Sequence, residues 1–287
     1  MAADVLEATC IQTNSRADPE ANLREIARLA RVAVAEGAQL LALPEVADFQ
    51  GSGPAAYRAY APAEAEHQAL ATLRALAAEL EVWMLLGSLS VREGDRLANR
   101  SYLIDARGGI VARYDKIHLF DISLPGGETH RESDLFVPGR RAVVAETPWG
   151  RMGLSICYDL RFPQLYRRLG QAGARVIFVP AAFTERTGEL HWHTLLRARA
   201  IETGAFIVAP AQCGKFAGDR GCFGHSLIVD PWGRILADGG EAVGMARARL
   251  DLSEVEGFRA AIPSPLLEQD FELDLTRGTP VQADLGA

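Results

Sequence analysis

Residues 151–163 read Arg151-Met-Gly-Leu-Ser-Ile-Cys157-Tyr-Asp-Leu-Arg-Phe-Pro163. The apolar half of this segment predicts a short buried strand, and Pro163 predicts the first turn of a helix beyond Cys157. A cysteine placed between a strand and a helix can be exposed at the strand's carboxyl end, facing backbone N–H groups of the residues that follow. This position favours a thiolate and offers donors to an oxyanion. We interpret Cys157 as a candidate nucleophile; the alternative is a buried structural thiol, the common state of a free cysteine.

Strand-like and helix-like patterns alternate on both sides of this segment. The predicted strands cover residues 5–11, 39–44, 82–87, 101–105, 110–114, 143–144, 152–156, 175–179, 205–209, 226–229 and 234–236. The predicted helices begin at Asp18, include Leu70 to Leu80, follow Cys157 and cover 189–203. Helices that alternate with strands and hairpins indicate an α/β protein with mixed sheets. We expect one domain over residues 1–262 and a C-terminal tail or arm over 263–287, where the pattern is lost.

The composition is that of a soluble globular protein. The chain has 287 residues, of which 48% are hydrophobic and 23% charged, and its net charge is −7. An acidic chain without a basic tract argues against a nucleic-acid partner. Neither a signal-peptide pattern nor a segment of membrane-spanning length is apparent, so we expect a cytoplasmic protein with no membrane partner.

The cysteines and histidines do not predict a metal site. The chain has four cysteines, Cys10, Cys157, Cys213 and Cys222, and so few in a long chain suggest reduced thiols. His191 and His193 are two residues apart, so on a helix they point to different faces. Cys213, Cys222 and His225 match no common zinc spacing. We therefore expect neither a metal ion nor a cofactor.

Two further segments carry candidate catalytic groups. Glu45 directly follows the apolar run Gln39–Pro44, so its carboxylate is expected at the carboxyl end of a buried strand, where α/β proteins build their sites. Lys116 ends a predicted hairpin strand within Arg113-Tyr-Asp-Lys-Ile-His-Leu-Phe-Asp121. Each alone could be an ordinary solvated charge. Together with Cys157, however, they supply a base, a cation and a nucleophile.

The chain resembles the nitrilase superfamily of carbon–nitrogen hydrolases, which share a Glu–Lys–Cys triad. The resemblance rests on three blocks in the same order, LPE at 43–45, YDKIHLFD at 114–121 and GLSICYDLRFP at 153–163, and it extends from the first strand to about Ile262. It implies a four-layer αββα sandwich and pairing of subunits through the layer near the nucleophile, as in a homodimer.

The resemblance also implies a mechanism. Cys157 would attack an amide carbon, while Glu45 would take the thiol proton and later activate water. Lys116 and the N–H of Tyr158 would hold the negative oxygen. A second glutamate of the family corresponds to Glu132, which would orient the lysine or serve the leaving group. The products would be an acid and ammonia, formed through a thioester.

Further motifs resemble the Nit branch, which contains deaminated glutathione amidases and ω-amidases. They are Cys157–Pro163, Pro180-Ala-Ala-Phe183, Thr187-Gly188, His191-Trp192 and Leu196–Glu202. This branch implies a small amide that bears a carboxylate, and Tyr158, Arg161, Phe183 and Thr184 are the candidates for its pocket. Two alternatives remain open: an N-carbamoyl-amide hydrolase with the same triad, and a binding or regulatory member without turnover.

Overall fold

Two six-stranded sheets form the centre of the molecule, and helices cover their outer faces. The computed structural model describes residues 3–124, 129–217 and 220–274. The Gly-rich loop after Lys116 lies partly outside these ranges, as does most of the predicted tail.

The helices and strands have the following bounds. The strands are β1 (Val5–Gln12), β2 (Leu40–Ala42), β3 (Trp83–Glu93), β4 (Arg96–Ile104), β5 (Ile110–Asp115), β6 (Asp121–Ser123), β7 (Thr129–Arg131), β8 (Val143–Thr147), β9 (Gly150–Leu154), β10 (Val176–Phe178), β11 (Phe206–Ala209), β12 (Cys213–Ala217), β13 (Arg220–Phe223), β14 (Leu227–Val229), β15 (Ile235–Asp238) and β16 (Gly244–Asp251). The α-helices are α1 (Pro19–Ala35), α2 (Pro54–Tyr60), α3 (Gln68–Glu79), α4 (Pro163–Gln171), α5 (Glu185–Thr203) and α6 (Ser253–Ala261), and short 3₁₀ helices cover Glu64–Glu66, Glu132–Asp134 and Cys157–Arg161.

The first sheet has the strand order β16-β1-β2-β3-β4-β5. Strands β1, β2 and β3 are parallel, and the other pairs are antiparallel. Because side chains alternate along a strand, Leu6 and Cys10 pack toward the second sheet, whereas Ile11 and Leu41 pack with α1 and α3. Both faces of this sheet are therefore buried.

The second sheet has the order β15-β14-β11-β10-β9-β8, with β9, β10 and β11 parallel. Helices α4 and α5 cover its outer face, where Leu169 and Leu196 belong to the same core as the sheet. The layers thus follow the order helix, sheet, sheet, helix, and the predicted αββα sandwich with mixed sheets is confirmed. This arrangement also brings the ends of strands from both sheets together at one edge.

Local signals account for the helices that the sequence predicts correctly. Asp18 caps α1 by accepting a hydrogen bond of 3.0 Å from the N–H of Ala21, and Pro19 occupies the first turn. Helix α5, however, begins at Glu185, four residues before the predicted start. Gly188 lies inside the helix, at a position where the Cβ atom of any other residue would collide with Phe223.

Several elements were not predicted, namely α2, the hairpin of β12 and β13, β16 and α6. Residues 263–274 contain neither helix nor strand. Since 275–287 lie outside the described residues, the division into a domain and a tail stays a prediction. Among the helices described here, none is long and apolar enough to cross a membrane.

Candidate active site

Cys157 is the first residue of a 3₁₀ helix and lies at a sharp turn after β9, with α4 beginning at Pro163. This is the strand-to-helix turn that the sequence predicts. The residue has φ +47°, a left-handed conformation that is rare for a residue with a side chain and that occurs often at active sites. The N–H of Cys157 donates to the carbonyl of Pro180 at 2.8 Å, which fixes the turn against the strand end of β10.

Glu45 follows β2 and is buried beside this turn. Its Oε1 accepts a hydrogen bond from Nζ of Lys116 at 2.8 Å, and its Oε2 accepts one from the N–H of Ala182 at 2.9 Å. The backbone carbonyl of Glu45 accepts a 3.0 Å bond from the buried side chain of Gln212. Contacts from the first sheet and from loops of the second sheet therefore hold Glu45 in place.

Lys116 directly follows β5 and is 2% exposed. Its Nζ lies 2.8 Å from Glu45 Oε1 and 2.9 Å from Glu132 Oε2, so the ammonium joins both carboxylates. Glu132 begins a 3₁₀ helix and also accepts a 2.6 Å bond from the N–H of Phe120. The structure thus brings together Cys157 and the three charged residues that the sequence selected.

Asn99 belongs to the same cluster and was missed by the sequence analysis. Its Nδ2 donates to Glu45 Oε1 at 2.9 Å and to Glu132 Oε1 at 3.0 Å. The signal for it was weak: a polar residue at a buried position of β4, next to Leu97 and Ala98. A buried amide needs partners, and here both N–H donors bond carboxylates.

The charges of this cluster shift the pKa of each group. Burial acts to raise the pKa of Glu45, but the charge and hydrogen bond of Lys116 outweigh it and hold the pKa below its ordinary value. Burial acts to lower the pKa of Lys116, but Glu132 and Glu45 raise it well above normal. The base and the cation are therefore both charged at neutral pH.

The thiol behaves differently from the sequence expectation of a favoured thiolate. Burial raises the pKa of Cys157 well above normal, the adjacent Glu45 charge raises it further, and Lys116 opposes the shift without cancelling it. The resting pair is accordingly a thiol next to a carboxylate. The proton can move from sulfur to Glu45 as the nucleophile attacks.

Asp159 connects the segments that carry the lysine and the cysteine. Its carboxylate accepts hydrogen bonds from the hydroxyl of Tyr114 (2.7 Å), the N–H of His118 (3.0 Å) and the N–H of Ile156 (2.9 Å). Because the first two residues flank Lys116 and the third precedes Cys157, this buried group fixes one segment relative to the other.

A cavity of about 800 Å³ opens above the cluster. Among the residues that the structure describes, its lining includes Tyr158, Phe183 and Thr184 but not Arg161. The Arg161 guanidinium instead lies 5.3 Å from the ring centroid of Phe183 and 3.3 Å from Nδ1 of His191. Arg161 therefore packs behind the aromatic wall, whereas the other three predicted pocket residues reach the cavity.

The outer part of the cavity carries charges of both signs. Arg131, Arg186 and Arg220 line it and are exposed, and Asp134 and Glu185 lie among them. These arginines come from β7, α5 and β13, elements whose meeting the sequence did not predict.

Residues 7–260 match the carbon-nitrogen hydrolase family. The chain belongs to this family. As a carbon-nitrogen hydrolase it is an enzyme that cleaves carbon–nitrogen bonds other than peptide bonds. The resemblance to the nitrilase superfamily that the three sequence blocks carry is confirmed.

This hydrolase is similar to the deaminated glutathione amidase of Synechocystis sp., with 41% identity over 263 residues, 90% of this chain and 96% of the relative. In structure it resembles the C. elegans NitFhit protein, with TM-score 0.85 and 36% identity over 92% of this chain and 65% of that longer one. It also resembles a variant of the amidase from Nesterenkonia sp. AN1, which shows Michael addition of acrylamide at its active-site cysteine. For this amidase the TM-score is 0.76 and the identity 29%, over 91% of this chain and 100% of the other.

Proposed function

We propose that this enzyme is a cysteine-dependent amidase that cleaves a carboxylate-bearing amide through a thioester on Cys157. The observation that carries the proposal is the buried cluster of Glu45, Lys116 and Cys157 on the floor of one cavity. A base, a cation and a nucleophile in mutual contact are the groups that acyl transfer requires. The acrylamide adduct on the cysteine of the Nesterenkonia amidase supports the role of the thiol.

In the acylation half-reaction, the Cys157 sulfur attacks the amide carbon while its proton passes to Glu45. The Lys116 ammonium and the N–H of Tyr158 are proposed to stabilise the oxygen that becomes negative. Glu45 then returns the proton to the amide nitrogen, the C–N bond breaks, and a thioester remains. Glu132, with Asn99, would keep the ammonium of Lys116 directed at this oxygen.

In the deacylation half-reaction, Glu45 takes a proton from water, and the resulting hydroxide attacks the thioester. The acid leaves, and the proton returns to the Cys157 sulfur. The sum is one amide and one water converted to one acid and one amine, and no step uses a metal or an organic cofactor.

For the substrate we propose deaminated glutathione, with the ω-amide of a 2-oxo acid as the smaller candidate. The name of the Synechocystis relative supports the first, and so does a cavity of about 800 Å³, which is near the upper end for small-molecule sites. Arg131, Arg186 and Arg220 could receive carboxylates that are distant from the reacting carbon. Tyr158, Phe183 and Thr184 would contact the acyl part of the substrate. Arg161 would act on the substrate indirectly, by packing against the ring of Phe183.

The product distinguishes these candidates. A primary ω-amide releases ammonia, as the sequence analysis expected. In deaminated glutathione, however, the nitrogen of the scissile amide belongs to a cysteinyl-glycine unit, so the released amine is a dipeptide. An assay for ammonia alone would miss this reaction.

The nucleophile is tested with Cys157→Ala and Cys157→Ser. We expect both to be nearly inactive while remaining folded, because removing a small thiol changes the packing little. Intact-mass measurement of the wild type with a slow substrate should show an acyl group that the alanine variant lacks. Substantial turnover by Cys157→Ala would overturn the proposal.

The substrate is tested with deaminated glutathione, α-ketoglutaramate, succinamate and N-carbamoyl compounds, with the acid, amine, ammonia and carbon dioxide all measured. A neutral analogue of the preferred amide should lose about 10- to 100-fold in kcat/KM, the size of one charge-assisted contact. Equal turnover of simple aliphatic amides would contradict the substrate proposal and leave the triad intact. Carbon dioxide as a product would indicate the carbamoyl hydrolase instead.

We also propose a cytoplasmic homodimer. The four cysteines are free thiols, which fits a reducing compartment. Leu190 and Ile201 of α5 are 66% and 44% exposed, on the helical layer nearest the nucleophile. Sedimentation equilibrium should give twice the chain mass, and Leu190→Glu should shift it toward the monomer.

A further inference from the structure

Outside the cavity lining, three side chains from separate elements converge on one point. His193 comes from the middle of α5, His225 from the connection between β13 and β14, and Asp238 from the end of β15. His193 Nε2 lies 3.2 Å from Asp238 Oδ2, and His225 Nδ1 lies 2.9 Å from Asp238 Oδ1. One ligand atom of each residue lies within 4.8 Å of those of the other two.

The backbone around this cluster holds the three side chains in place. His225 has φ +54°, a conformation that costs free energy for any residue with a side chain. Its ring stacks on Phe223 with the centroids 4.5 Å apart, and its backbone carbonyl accepts a 2.8 Å bond from the indole of Trp192. The carboxylate of Asp238 is fixed in turn by the N–H of Gly240 at 2.9 Å.

We propose that His193, His225 and Asp238 form a binding site for a late first-row divalent cation such as Zn²⁺. Two imidazoles and one carboxylate are the ligand types that zinc takes when water completes a four-coordinate site. Bonds of about 2.0–2.1 Å to such an ion would place its ligand atoms about 3.4 Å apart. Asp238 Oδ2 lies 3.2 Å from His193 Nε2 and 3.1 Å from His225 Nδ1, so only a small outward shift is needed to reach this value.

The charge of the cluster suits a cation as well. Asp238 supplies a carboxylate oxygen, and His193 and His225 supply one imidazole nitrogen each. A divalent metal ion binds such groups as an ionised carboxylate and neutral imidazoles. Hard cations such as Mg²⁺ prefer oxygen ligands and should not bind here.

The position of the site indicates a structural role for the ion. The first turn of α5 contributes Arg186 and Thr187 to the cavity wall, and β13 contributes Cys222. An ion bound by His193, His225 and Asp238 would cross-link this helix to the strands beside it. It would stabilise the wall without touching Cys157 or the substrate.

No metal site was expected from the sequence, because the spacings of its cysteines and histidines match no common zinc pattern. These three ligands lie far apart along the chain, and only the packing of α5 against the second sheet brings them together. His193 was considered only with His191, which is on another face of the helix and contacts Arg161.

The experiment is a calorimetric titration of the metal-free, full-length enzyme with Zn²⁺, and with Mg²⁺ as the control ion. We expect one equivalent of Zn²⁺ to bind, and His193→Gln and Asp238→Asn each to weaken binding by more than about 10-fold. His191→Gln, on the same helix, is the matched control and should bind as the wild type does. Zn²⁺ should also raise the Tm of the wild type but not that of His193→Gln.

The spectrum of bound Co²⁺ separates this site from the cysteines of the cavity. Imidazole and carboxylate ligands give visible bands without the intense near-ultraviolet absorption of a thiolate ligand. Three results would each overturn the proposal: no saturable Zn²⁺ binding by the wild type, binding that survives both His193→Gln and Asp238→Asn, or a thiolate spectrum. His193 is partly exposed on a helix, so its variant should fold.

Discussion

Asn99 and Glu45 are joined by a 2.9 Å hydrogen bond, and the second N–H of the same amide reaches Glu132 at 3.0 Å. A neutral donor therefore separates two carboxylates that share one ammonium, that of Lys116. Hydrogen bonds from Asn99 and Lys116 to both carboxylates offset part of the cost of burying these groups.

Replacing Asn99 with Asp should impair the base. A third carboxylate beside Glu45 would raise the pKa of that residue, because like charges disfavour ionisation. Since Glu45 acts in its ionised form, the pH below which kcat/KM falls should rise by about one pH unit or more. Asn99→Leu, which removes the hydrogen bonds without adding charge, is the control and should move this pH less. A pH–rate profile unchanged in Asn99→Asp would show that this side chain does not act on the base.

The wild-type pH profile should be broad. The pKa of Glu45 is held below its ordinary value of 4.5, so the base is ionised at every pH above that value. The pKa of Lys116 is raised, so the cation is retained on the alkaline side. We expect kcat/KM to remain nearly constant from about pH 5.5 to 8 and to fall only below the normal glutamate range. A base with a pKa near 6 or 7 would contradict these directions.

Removal of the Lys116 charge should cost both activity and stability. Lys116→Met leaves Glu45 and Glu132 buried without their cation, so the free energy of unfolding should fall by about 3–5 kcal/mol. Denaturant titration measures this loss. Turnover should fall by at least about 100-fold, as for loss of an oxyanion donor.

Lys116→Arg separates charge from shape at the same position. It should recover part of the stability, yet turnover should stay low, because a planar guanidinium cannot occupy the place of a compact ammonium. If this variant kept most of the wild-type kcat, Lys116 would not be the group that contacts the negative oxygen.

His67 should make the fold sensitive to mild acid. Burial lowers its pKa from 6.5, and the nearby Asp48 only partly opposes the shift. A histidine buried in its neutral form contributes stability above pH 6.5, and this stability is lost as the pH falls through the lowered folded value. His67→Gln should therefore lose less stability than the wild type as the pH falls below 6.5. Unfolding free energies measured at several pH values check this, with His191→Gln as the control that should follow the wild type.

The sequence predicted the floor of the site better than its walls. Glu45, Lys116 and Cys157 each stand just after a strand with a readable pattern, and parallel strands of a layered protein end at the same edge. Asn99 was missed because nothing local marks a buried amide as part of a charge cluster. The protonation state of Cys157 depends on its burial and on the opposite charges of Glu45 and Lys116, and a local sequence pattern shows none of these.

The walls of the cavity come from elements that have only weak sequence patterns. Helix α2 is only seven residues long, and the hairpin of β12 and β13 is short, so neither has a strong period. The position of Arg161 was open for a related reason. Its spacing from Cys157 places it near the site, but only the stacking with Phe183 shows which side of the aromatic wall it occupies.

The bonds of Asp159 restrict how this enzyme can acquire new substrates. A substitution that moved the segment of Tyr114 and His118 would also displace the turn at Ile156, since one carboxylate holds both. A single substitution near Lys116 or near Cys157 therefore disturbs both residues, and most such substitutions would impair catalysis. Arg186 and Arg220 line the outer part of the cavity instead. Substitutions that change the substrate range, in nature or in directed evolution, should accumulate in the outer part of the cavity, while the cluster around Cys157 stays constant.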